Sequence, residues 1–187
     1  MKLTIDNFKS MMNLSLANVK AREEEFSKLD AIAGDGDHGT AIVTALTIIA
    51  GDAQQGTEFP AMLNDMGMGE ALGPLGVTDE LNAAQVKVMF RGGLTGVEEQ
   101  TKAKLGDKTM MDALVPAVVA IESCDSEDVK ELLKAGAEAA LKGAEATVNM
   151  KANFGRARNL GERSVGFADA GATSWACLFE SFYQGLE

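Results

Sequence analysis

The feature that most constrains this chain is a cluster of carboxylates and glycines in its first third. Asp30 is followed by the run Gly34-Asp35-Gly36-Asp37-His38-Gly39, so three carboxylates fall within eight positions. Glycine lets a backbone turn tightly around a small ligand. Carboxylate oxygens suit Mg²⁺, and a helix that begins directly after such a run can offer free backbone N–H groups to an anion. The run therefore favours a magnesium-bound phosphate, with Asp30, Asp35 and Asp37 as the metal ligands.

A solvated acidic turn ahead of a helix is the alternative interpretation of this run. It accounts poorly for Asp30 and for the glycines, so we interpret the cluster as a metal site. A calcium-binding EF-hand is excluded, because Thr40 and Leu46 stand where its loop requires glycine and glutamate. His38 could form a structural hydrogen bond or donate to a phosphate oxygen, and the sequence does not separate these two roles.

Charge and composition narrow the class of partner. The 187 residues carry a formal net charge of −11, which disfavours nucleic acid and anionic membrane surfaces as partners. An anionic ligand would be repelled as well, unless metal cations lie between it and the carboxylates. Cys124 and Cys177 have no paired spacing and there is one histidine, which argues against structural zinc and suggests reduced thiols. With no signal-peptide core and no apolar run near ~20 residues, we expect a cytoplasmic protein without a membrane span.

Helical spacing of apolar residues runs through almost the whole chain. It predicts helices over about 8–19, 41–50, 111–121, 129–144 and 173–183, and another that follows Thr78-Asp79-Glu80. The segment 41–50 is nearly all apolar, which predicts a central helix buried on most sides. No sustained two-residue alternation is present. The pattern predicts an all-α bundle or helical barrel, and the length predicts one domain over residues 1–187.

Several glycine-rich turns lie between the predicted helices, at 34–39, 67–76, 104–107, 155–161 and 166–171. If they gather at one end of the bundle, they form a site. The turn Gly106-Asp107-Lys108-Thr109 departs from a phosphate-binding P-loop, because Asp107 replaces the glycine before the lysine. A turn in which Thr109 caps the next helix and a ligand contact both stay open here.

The segment 154–164 is the densest positive patch of this acidic chain. In one interpretation it is a solvated loop with local ion pairs, such as Glu162 with Arg158 or Arg163. In the other, an arginine reaches the phosphates or stacks on a base. The run 169–174 follows at the start of the last predicted helix, where free N–H groups could bind an anion or a base.

Taken together, these segments resemble the nucleotide-binding L subunit of dihydroxyacetone kinases. The residues that carry the resemblance follow the family's order: Leu29-Asp30, Gly34-Asp35-Gly36-Asp37-His38-Gly39, Gly106-Asp107-Lys108-Thr109-Met110, Gly155-Arg156-Ala157, Leu160-Gly161-Glu162-Arg163-Ser164-Val165-Gly166, and Asp169 with Gly171-Ala172-Thr173-Ser174. No single piece is specific, whereas the combination is.

The resemblance implies an antiparallel barrel or bundle of about eight helices with the nucleotide, ADP or ATP, at one end. It implies two Mg²⁺ ions on the residues matching Asp30, Asp35 and Asp37, which act in catalysis through the metal together with Arg156. The residues implied to bind the nucleotide are His38, Gly39, Thr40, Ala41, Thr101, Met110, Arg156, Asp169, Gly171, Ala172 and Thr173.

In this family the short ketose is held covalently on a histidine of a separate K subunit or domain, so the chain would be half an active site. The resemblance thus implies a kinase subunit of glycerol metabolism. The nucleotide could exchange as ATP, or stay bound as ADP and be rephosphorylated by a phosphotransferase-system protein, which the single-domain length favours. A homodimer is a further expectation to test. The alternative is a non-catalytic nucleotide-binding regulatory module that docks on a partner protein.

The chain departs from the family pattern at several places. Ala41-Ile42, Arg158-Asn159, Phe167 and Ala170 replace residues that the family usually has. About twenty residues of a nucleotide-covering lid also have no counterpart, with an apparent gap near 69–70. Either the protein lacks the lid, or a mobile lid is missing from the sequence as given. We expect the second, because losing a helix from a closed barrel would expose apolar surface at ~25 cal/mol per Å².

Overall fold

Helices make up most of the computed structural model, which describes residues 1–65 and 78–186. Its α-helices in these ranges are α1 (Ile5–Ala21), α2 (Glu23–Ala31), α3 (His38–Gln55), α4 (Phe59–Asp65), α5 (Ala83–Gln100), α6 (Met111–Ser123), α7 (Val129–Ala146) and α8 (Ala170–Gln184). The 3₁₀ segments Thr147–Asn149 and Arg156–Ser164 follow α7. Strands β1 (Leu3–Thr4) and β2 (Glu80–Leu81) form a short antiparallel ladder. The predicted all-α fold of about eight helices is confirmed.

Side-chain caps set the first residue of several helices. The predicted helix after Glu80 is present as α5, but it begins later, at Ala83, because Glu80 and Leu81 form β2 and Asn82 forms a capping box with Gln85. The predicted start of the last helix near Thr173 is late. Asp169 accepts a hydrogen bond from the Ala172 N–H at 2.7 Å, so α8 begins at Ala170.

The core lies between the apolar faces that the sequence pattern predicts. The predicted face of α1 is buried except for Leu16, which is partly buried, and α6, α7 and α8 pack closely on one another. A Cβ added at Gly136 of α7 would meet the Ile121 side chain of α6 at 2.8 Å. The small residues of α7 therefore allow the close helix approach that the sequence predicts.

The prediction that the apolar segment 41–50 is buried on most sides is wrong. Leu46 and Ala50 are buried, but Ile48 is 61% exposed. The physical reason is one-sided packing, since α3 contacts α1, α2 and α4, and those neighbours cover one stripe of its surface. Because nearly every residue of this segment is apolar, its sequence has no helical period that would predict which side is exposed.

Some sequence-based predictions fall outside the described residues. These are the glycine-rich turn 67–76 and the gap near 69–70 with its lid, and the division of residues 1–187 into one domain also stays a prediction. In the ranges that the structure describes, no helix is both long enough and apolar enough to cross a bilayer.

The two ends of the bundle carry different features. The amide of Gln54, near the end of α3, donates to the Lys9 carbonyl at 3.4 Å, while Gly39, at the start of α3, lies against Glu23. The helices α1 and α3 are therefore antiparallel. The β1–β2 ladder lies at the start of α1 and the loop 32–37 lies at the opposite end.

Candidate functional site

Four of the five predicted glycine-rich turns converge at the end of the bundle where α3 begins. Arg156 pairs with Asp35, and His38 contacts Ser174 at the start of α8. The Asn153 N–H donates to the Asp107 carbonyl at 3.1 Å. The fifth turn, 67–76, lies outside the described residues. The predicted gathering of turns is confirmed for the other four.

The glycine loop 32–37 wraps around Asp30, the last acidic residue of α2. The N–H of Gly36 donates to Asp30 Oδ2 at 2.8 Å, and the N–H of Gly34 donates to the Asp30 carbonyl at 2.6 Å. A Cβ at Gly34 would meet the Asp30 carboxylate at 2.5 Å, and Gly36 has a φ of 77°. Glycine is thus required at both positions, once for space and once for conformation.

Asp30, Asp35 and Asp37 form a compact acidic cluster. One carboxylate oxygen from each lies within 4.8 Å of the others. Asp30 is partly buried, whereas Asp35 and Asp37 are exposed. The pKa of Asp37 is raised, first by its hydrogen bond with Asp35 and then by the repulsion between the two like charges. The donor set consists of hard carboxylate oxygens at short mutual distance, and it fits Mg²⁺.

Arg156 is the cation nearest to the cluster in the described part of the chain. Its guanidinium forms an ion pair with Asp35, and the hydrogen bond between them lowers the pKa of Asp35 and raises that of Arg156. Both side chains are exposed, so the pair is screened by solvent and can open. In the interpretation of this segment as a solvated loop, Glu162 is an example of a partner for Arg158 or Arg163, but it pairs instead with Lys151 at 2.8 Å.

The first turn of α3 is open to an anion. Asp37 precedes the helix and makes no side-chain capping hydrogen bond, so it leaves the first N–H groups of α3 without a cap. Gly39 lets this turn lie against α2, because a Cβ there would overlap the Glu23 carbonyl and meet Ser27 Oγ at 2.6 Å. Free N–H groups and the positive end of a helix dipole favour a phosphate at this position.

His38 contacts Ser174, a residue of the run 169–174, and the sequence did not predict this contact. Its Nε2 lies 3.0 Å from Oγ of Ser174, and that hydroxyl donates to the Gly171 carbonyl at 3.0 Å. Since the hydroxyl proton is thereby used, Ser174 accepts from His38, which places a proton on Nε2. Burial lowers the pKa of His38, which favours the neutral ring. The structural role of His38 is therefore present, and donation to a phosphate from Nδ1 would require a second ring proton.

A cavity of about 300 Å³ opens between the acidic cluster and the start of α8. It is lined by Leu29, Asp30, Ala33, Gly34, Asp37, His38, Ala41, Lys108, Thr109, Phe154, Gly155, Arg156, Ala157, Phe167, Ala168, Asp169 and Ala170. The cavity is thus lined both by predicted metal ligands and by predicted nucleotide-binding residues. Its volume is at the lower end of the range for small-molecule sites.

Several predicted nucleotide-binding residues are absent from the lining. These are Gly39, Thr40, Thr101, Met110, Gly171, Ala172 and Thr173. The Thr40 hydroxyl donates to Glu23, and the Thr101 hydroxyl accepts from the Ala103 N–H at the end of α5. A Cβ at Gly171 would lie 3.2 Å from Met110 Cβ, so these two residues pack on each other beside the cavity. Their contact with a nucleotide stays a prediction.

Three further cavity residues were not predicted as site residues. Phe154 and Phe167 could not be told from core aromatics. Lys108 stood in a turn that failed the P-loop pattern, and its burial depends on segments far away in the chain. The Thr109 hydroxyl accepts from the Met111 N–H at 3.2 Å, while Met110 stands at the N-cap of α6, and a ligand contact of Thr109 stays a prediction.

Asp169 forms the far wall of the cavity with a different electrostatic character. Its carboxylate caps α8 through the Ala172 N–H. Burial is the largest effect on this group and raises its pKa to about 6, with repulsion from Asp112 in the same direction and attraction by Lys108 opposing it. The Asp169 carboxyl group is therefore protonated at a higher pH than an ordinary aspartate.

A larger cavity of about 410 Å³ lies elsewhere, along α7 and α8. Leu141, Cys177 and Tyr183 line it, together with Thr173, and charged side chains form its rim. None of the acidic cluster residues borders it. We therefore assign the functional site to the smaller cavity, where carboxylates, Arg156 and a helix start converge.

Comparison with known proteins identifies the family of this chain. A family model described as the DAK2 domain matches residues 66–184. The chain is 35% identical to the ADP-binding subunit DhaL of the PEP-dependent dihydroxyacetone kinase of Escherichia coli, over 81% of this chain and 82% of that one. It is 33% identical to subunit DhaL of kinase 1 of Listeria innocua, over 89% of both chains.

Other relatives are longer. The chain is 34% identical to D-erythrulose kinase of Mycolicibacterium smegmatis over 82% of its own length, but it spans only 31% of that protein. The crystal structure of the dihydroxyacetone kinase of C. freundii aligns with a TM-score of 0.65 at 22% identity, over 94% of this chain and 34% of that one, which supports the fold. A second structure of that kinase contains AMP-PNP and Mg²⁺ and aligns with a TM-score of 0.63. The resemblance seen in the sequence is confirmed: the chain belongs to the DAK2 domain family.

Proposed function

We propose that this chain is the nucleotide-holding phosphotransfer subunit of a dihydroxyacetone-type kinase. The observation that carries the proposal is that the cluster of Asp30, Asp35 and Asp37 adjoins the uncapped start of α3, with Asp30 and Asp37 lining the cavity. Carboxylates alone would repel a polyphosphate, and a helix start alone is a common feature. In a complex with a metal-bound polyphosphate, the carboxylates would bind the metal cation and the helix start would bind the phosphate groups.

The three aspartates are the residues that would hold Mg²⁺, with two ions as the family resemblance suggests. Bound there, Mg²⁺ would neutralise charge between the carboxylates and the phosphates. The N–H groups of Gly39 and Thr40 would orient a phosphate at the start of α3. Asp169 and its neighbours would hold the nucleoside on the opposite wall.

Arg156 is the candidate for transition-state charge stabilisation. Its guanidinium already lies beside Asp35, so a small rotation of an exposed side chain would bring it to the terminal phosphate. Among residues 1–65 and 78–186, no general base for a sugar hydroxyl is evident. We infer that the base comes from the partner that holds the ketose.

The proposed partners follow from the reaction steps that this chain would leave to other proteins. We propose a separate ketose-binding K subunit, and a phosphotransferase-system protein that regenerates the nucleotide in place. The second idea is supported by relatives named PEP-dependent kinases with an ADP-binding subunit, of which the chain spans 82% and 89%. A cytoplasmic location and a homodimer belong to the same proposal.

Binding is tested first, by calorimetric titration of the purified chain with ADP, with and without Mg²⁺. We expect binding that depends on Mg²⁺. In the variant Asp37→Asn this Mg-dependent binding should be lost, and the matched control is Asp125→Asn, the same change in an exposed loop between α6 and α7. If ADP binds equally well with and without the metal, or not at all, the proposed site is wrong.

Transfer is tested second, with dihydroxyacetone or erythrulose loaded on a cognate K subunit. The chain is supplied either with ATP or with ADP and a phosphorylated phosphotransferase-system donor, and the ketose phosphate is followed by phosphorus NMR. Transfer from one donor and not the other identifies the phosphoryl source. Binding of Mg·ADP without transfer from either donor would favour the alternative, a regulatory nucleotide-binding module.

A further inference from the structure

Lys108 is an unusual residue beside the cavity. It is 2% exposed, and it has a φ of 59°, which makes it the one non-glycine residue with positive φ in the described ranges. A lysine is rarely fully buried, and a left-handed backbone conformation is unfavourable for any residue with a Cβ. A residue with both properties is held in place by its surroundings.

The ammonium group of Lys108 connects three segments. It donates to the carbonyls of Met150 at 3.2 Å and Phe167 at 2.7 Å, and to the carbonyl of Ser164. It also lies 4.7 Å from the centroid of the Phe167 ring. A lysine ammonium has three donor hydrogens, so three carbonyl acceptors use all of them. Lys108 therefore has no hydrogen left for a phosphate, although it borders the cavity.

One of the connected segments, which begins at Phe167, lines the cavity opposite the acidic cluster, whereas Met150 and Ser164 are not part of the lining. Met150 follows the 3₁₀ segment after α7, and Ser164 ends the one that begins at Arg156. Phe167 precedes Ala168, Asp169 and Ala170, which all line the cavity. The wall is a loop without a regular helix or strand, and its position depends on such cross-links.

The turn that carries Lys108 is itself fixed from the other side. The buried carboxylate of Asp112 accepts from the N–H of Gly106 at 2.6 Å and from the N–H of Thr109 at 2.8 Å. The Asp107 carbonyl accepts from the Asn153 N–H. Lys108 thus extends from a rigid turn on α6 toward the loop 150–169.

From this geometry we propose that Lys108 is a positioning residue, which orders the wall 164–170 for the nucleoside part of the nucleotide and does not touch the phosphates. This inference rests on the proposed function, because it assumes that the cavity binds a nucleotide. It also explains the failed P-loop pattern, since the lysine of that turn serves backbone carbonyls instead of a phosphate.

The test compares Lys108→Met, which keeps the length of the side chain and removes its donors, with wild type. Lys108→Gly is the second variant, because glycine tolerates the positive φ and is the more certain of the two to fold. Leu81→Ala is the control, a buried residue of the β1–β2 ladder at the other end of the bundle. All proteins are examined well below their unfolding temperatures.

Two measurements are made on each protein. Amide hydrogen exchange of the nucleotide-free protein reports the order of residues 164–170, and calorimetry reports the affinity for Mg·ADP. We expect both Lys108 variants to exchange at least tenfold faster at 164–170, with α5 unchanged, and to bind Mg·ADP at least tenfold more weakly. The Leu81→Ala control should match wild type in both measurements.

Each other result overturns the inference in a distinguishable way. Unchanged exchange with weaker binding would mean that Lys108 acts on the ligand directly. Faster exchange with unchanged binding would mean that the ordered wall does not serve the nucleotide. If wild type itself binds no Mg·ADP, the proposed function fails first and this inference fails with it.

Discussion

Two aspartates precede helices at the same cavity and make opposite contacts. Asp169 caps α8, is mostly buried and has a raised pKa. Asp37 precedes α3, caps nothing, is exposed and lies within an acidic cluster. The comparison shows that the start of a helix can be closed by its own carboxylate or left open for an anion, and that the neighbours of the aspartate decide which.

The physical cause is the backbone conformation at the two positions. Asp169 has extended backbone angles, φ −73° and ψ 133°, from which a side chain reaches the N–H groups of the first turn. Asp37 has φ −96° and ψ −5°, because the glycine loop enters α3 in a nearly helical conformation. Its carboxylate is thereby directed to Asp30 and Asp35, and the helix start remains uncapped.

The largest effect is expected from removing the negative charge of Asp37 at the uncapped start of α3. We expect Asp37→Asn to weaken Mg-dependent binding of ADP at least 100-fold, about 2.7 kcal/mol, because one metal ligand becomes neutral. Circular dichroism should show unchanged helix content. The equivalent change Asp169→Asn should leave the ratio of affinities with and without Mg²⁺ unaltered, and a comparable loss of Mg-dependence in both variants would remove the distinction between the two walls.

The approach of α3 to α2 is tested by two glycines of the same helix. We expect Gly39→Ala to lower the free energy of unfolding by about 1–3 kcal/mol, because its Cβ would overlap the Glu23 carbonyl. Gly51→Ala has nothing within 4 Å of the added Cβ and should raise that free energy by about 0.5–1 kcal/mol. Urea denaturation measures both. Equal stability of the two variants would contradict the close packing at the start of α3.

The capped start of α8 is tested through the pH dependence of protein stability, to which Asp169 contributes. The folded-state pKa of Asp169 is about 6 and its ordinary value is 3.8, so the folded protein binds the extra proton between these values. Stability contributed by this group therefore decreases as pH rises from about 4 to about 6 and then stays constant. We expect Asp169→Asn, which keeps the capping oxygen, to be more stable than wild type above pH 6 by about 1–2 kcal/mol. Urea unfolding across this pH range provides the test, and a constant difference between the two proteins would contradict the raised pKa.

The smallest effect is expected where the two sides meet, at the contact of His38 with Ser174. Ser174→Ala removes one hydrogen bond, worth about 1 kcal/mol, so Mg·ADP affinity should fall by no more than roughly tenfold. Nitrogen-15 NMR of the imidazole should show a loss of the pure Nε2–H form. Ser181→Ala, another buried serine of α8, serves as the control and should leave the His38 signals in place. Unchanged His38 signals in Ser174→Ala would contradict the assigned tautomer.

The sequence predicted the acidic side of the cavity better than the opposite wall. Asp30, Asp35 and Asp37 lie within seven residues of one another, so local geometry alone brings them together. The opposite wall joins residues near 108, 150, 164 and 167. Such contacts depend on how whole helices pack, and no local pattern encodes them. This is why the contacts of Lys108 with carbonyl groups and of Ser174 with His38 were not predicted, and why the predicted contacts of Thr101 and Met110 stay untested.

By itself, the sequence determined the helical fold, the acidic cluster and the family, because helical periodicity and closely spaced ligands are local properties of a chain. The tertiary structure alone decided which face of α3 is exposed, which cation pairs with Asp35 and which residues hold the far wall of the cavity. These features depend on distances between segments that are remote in sequence, and only the packing of the helices fixes those distances.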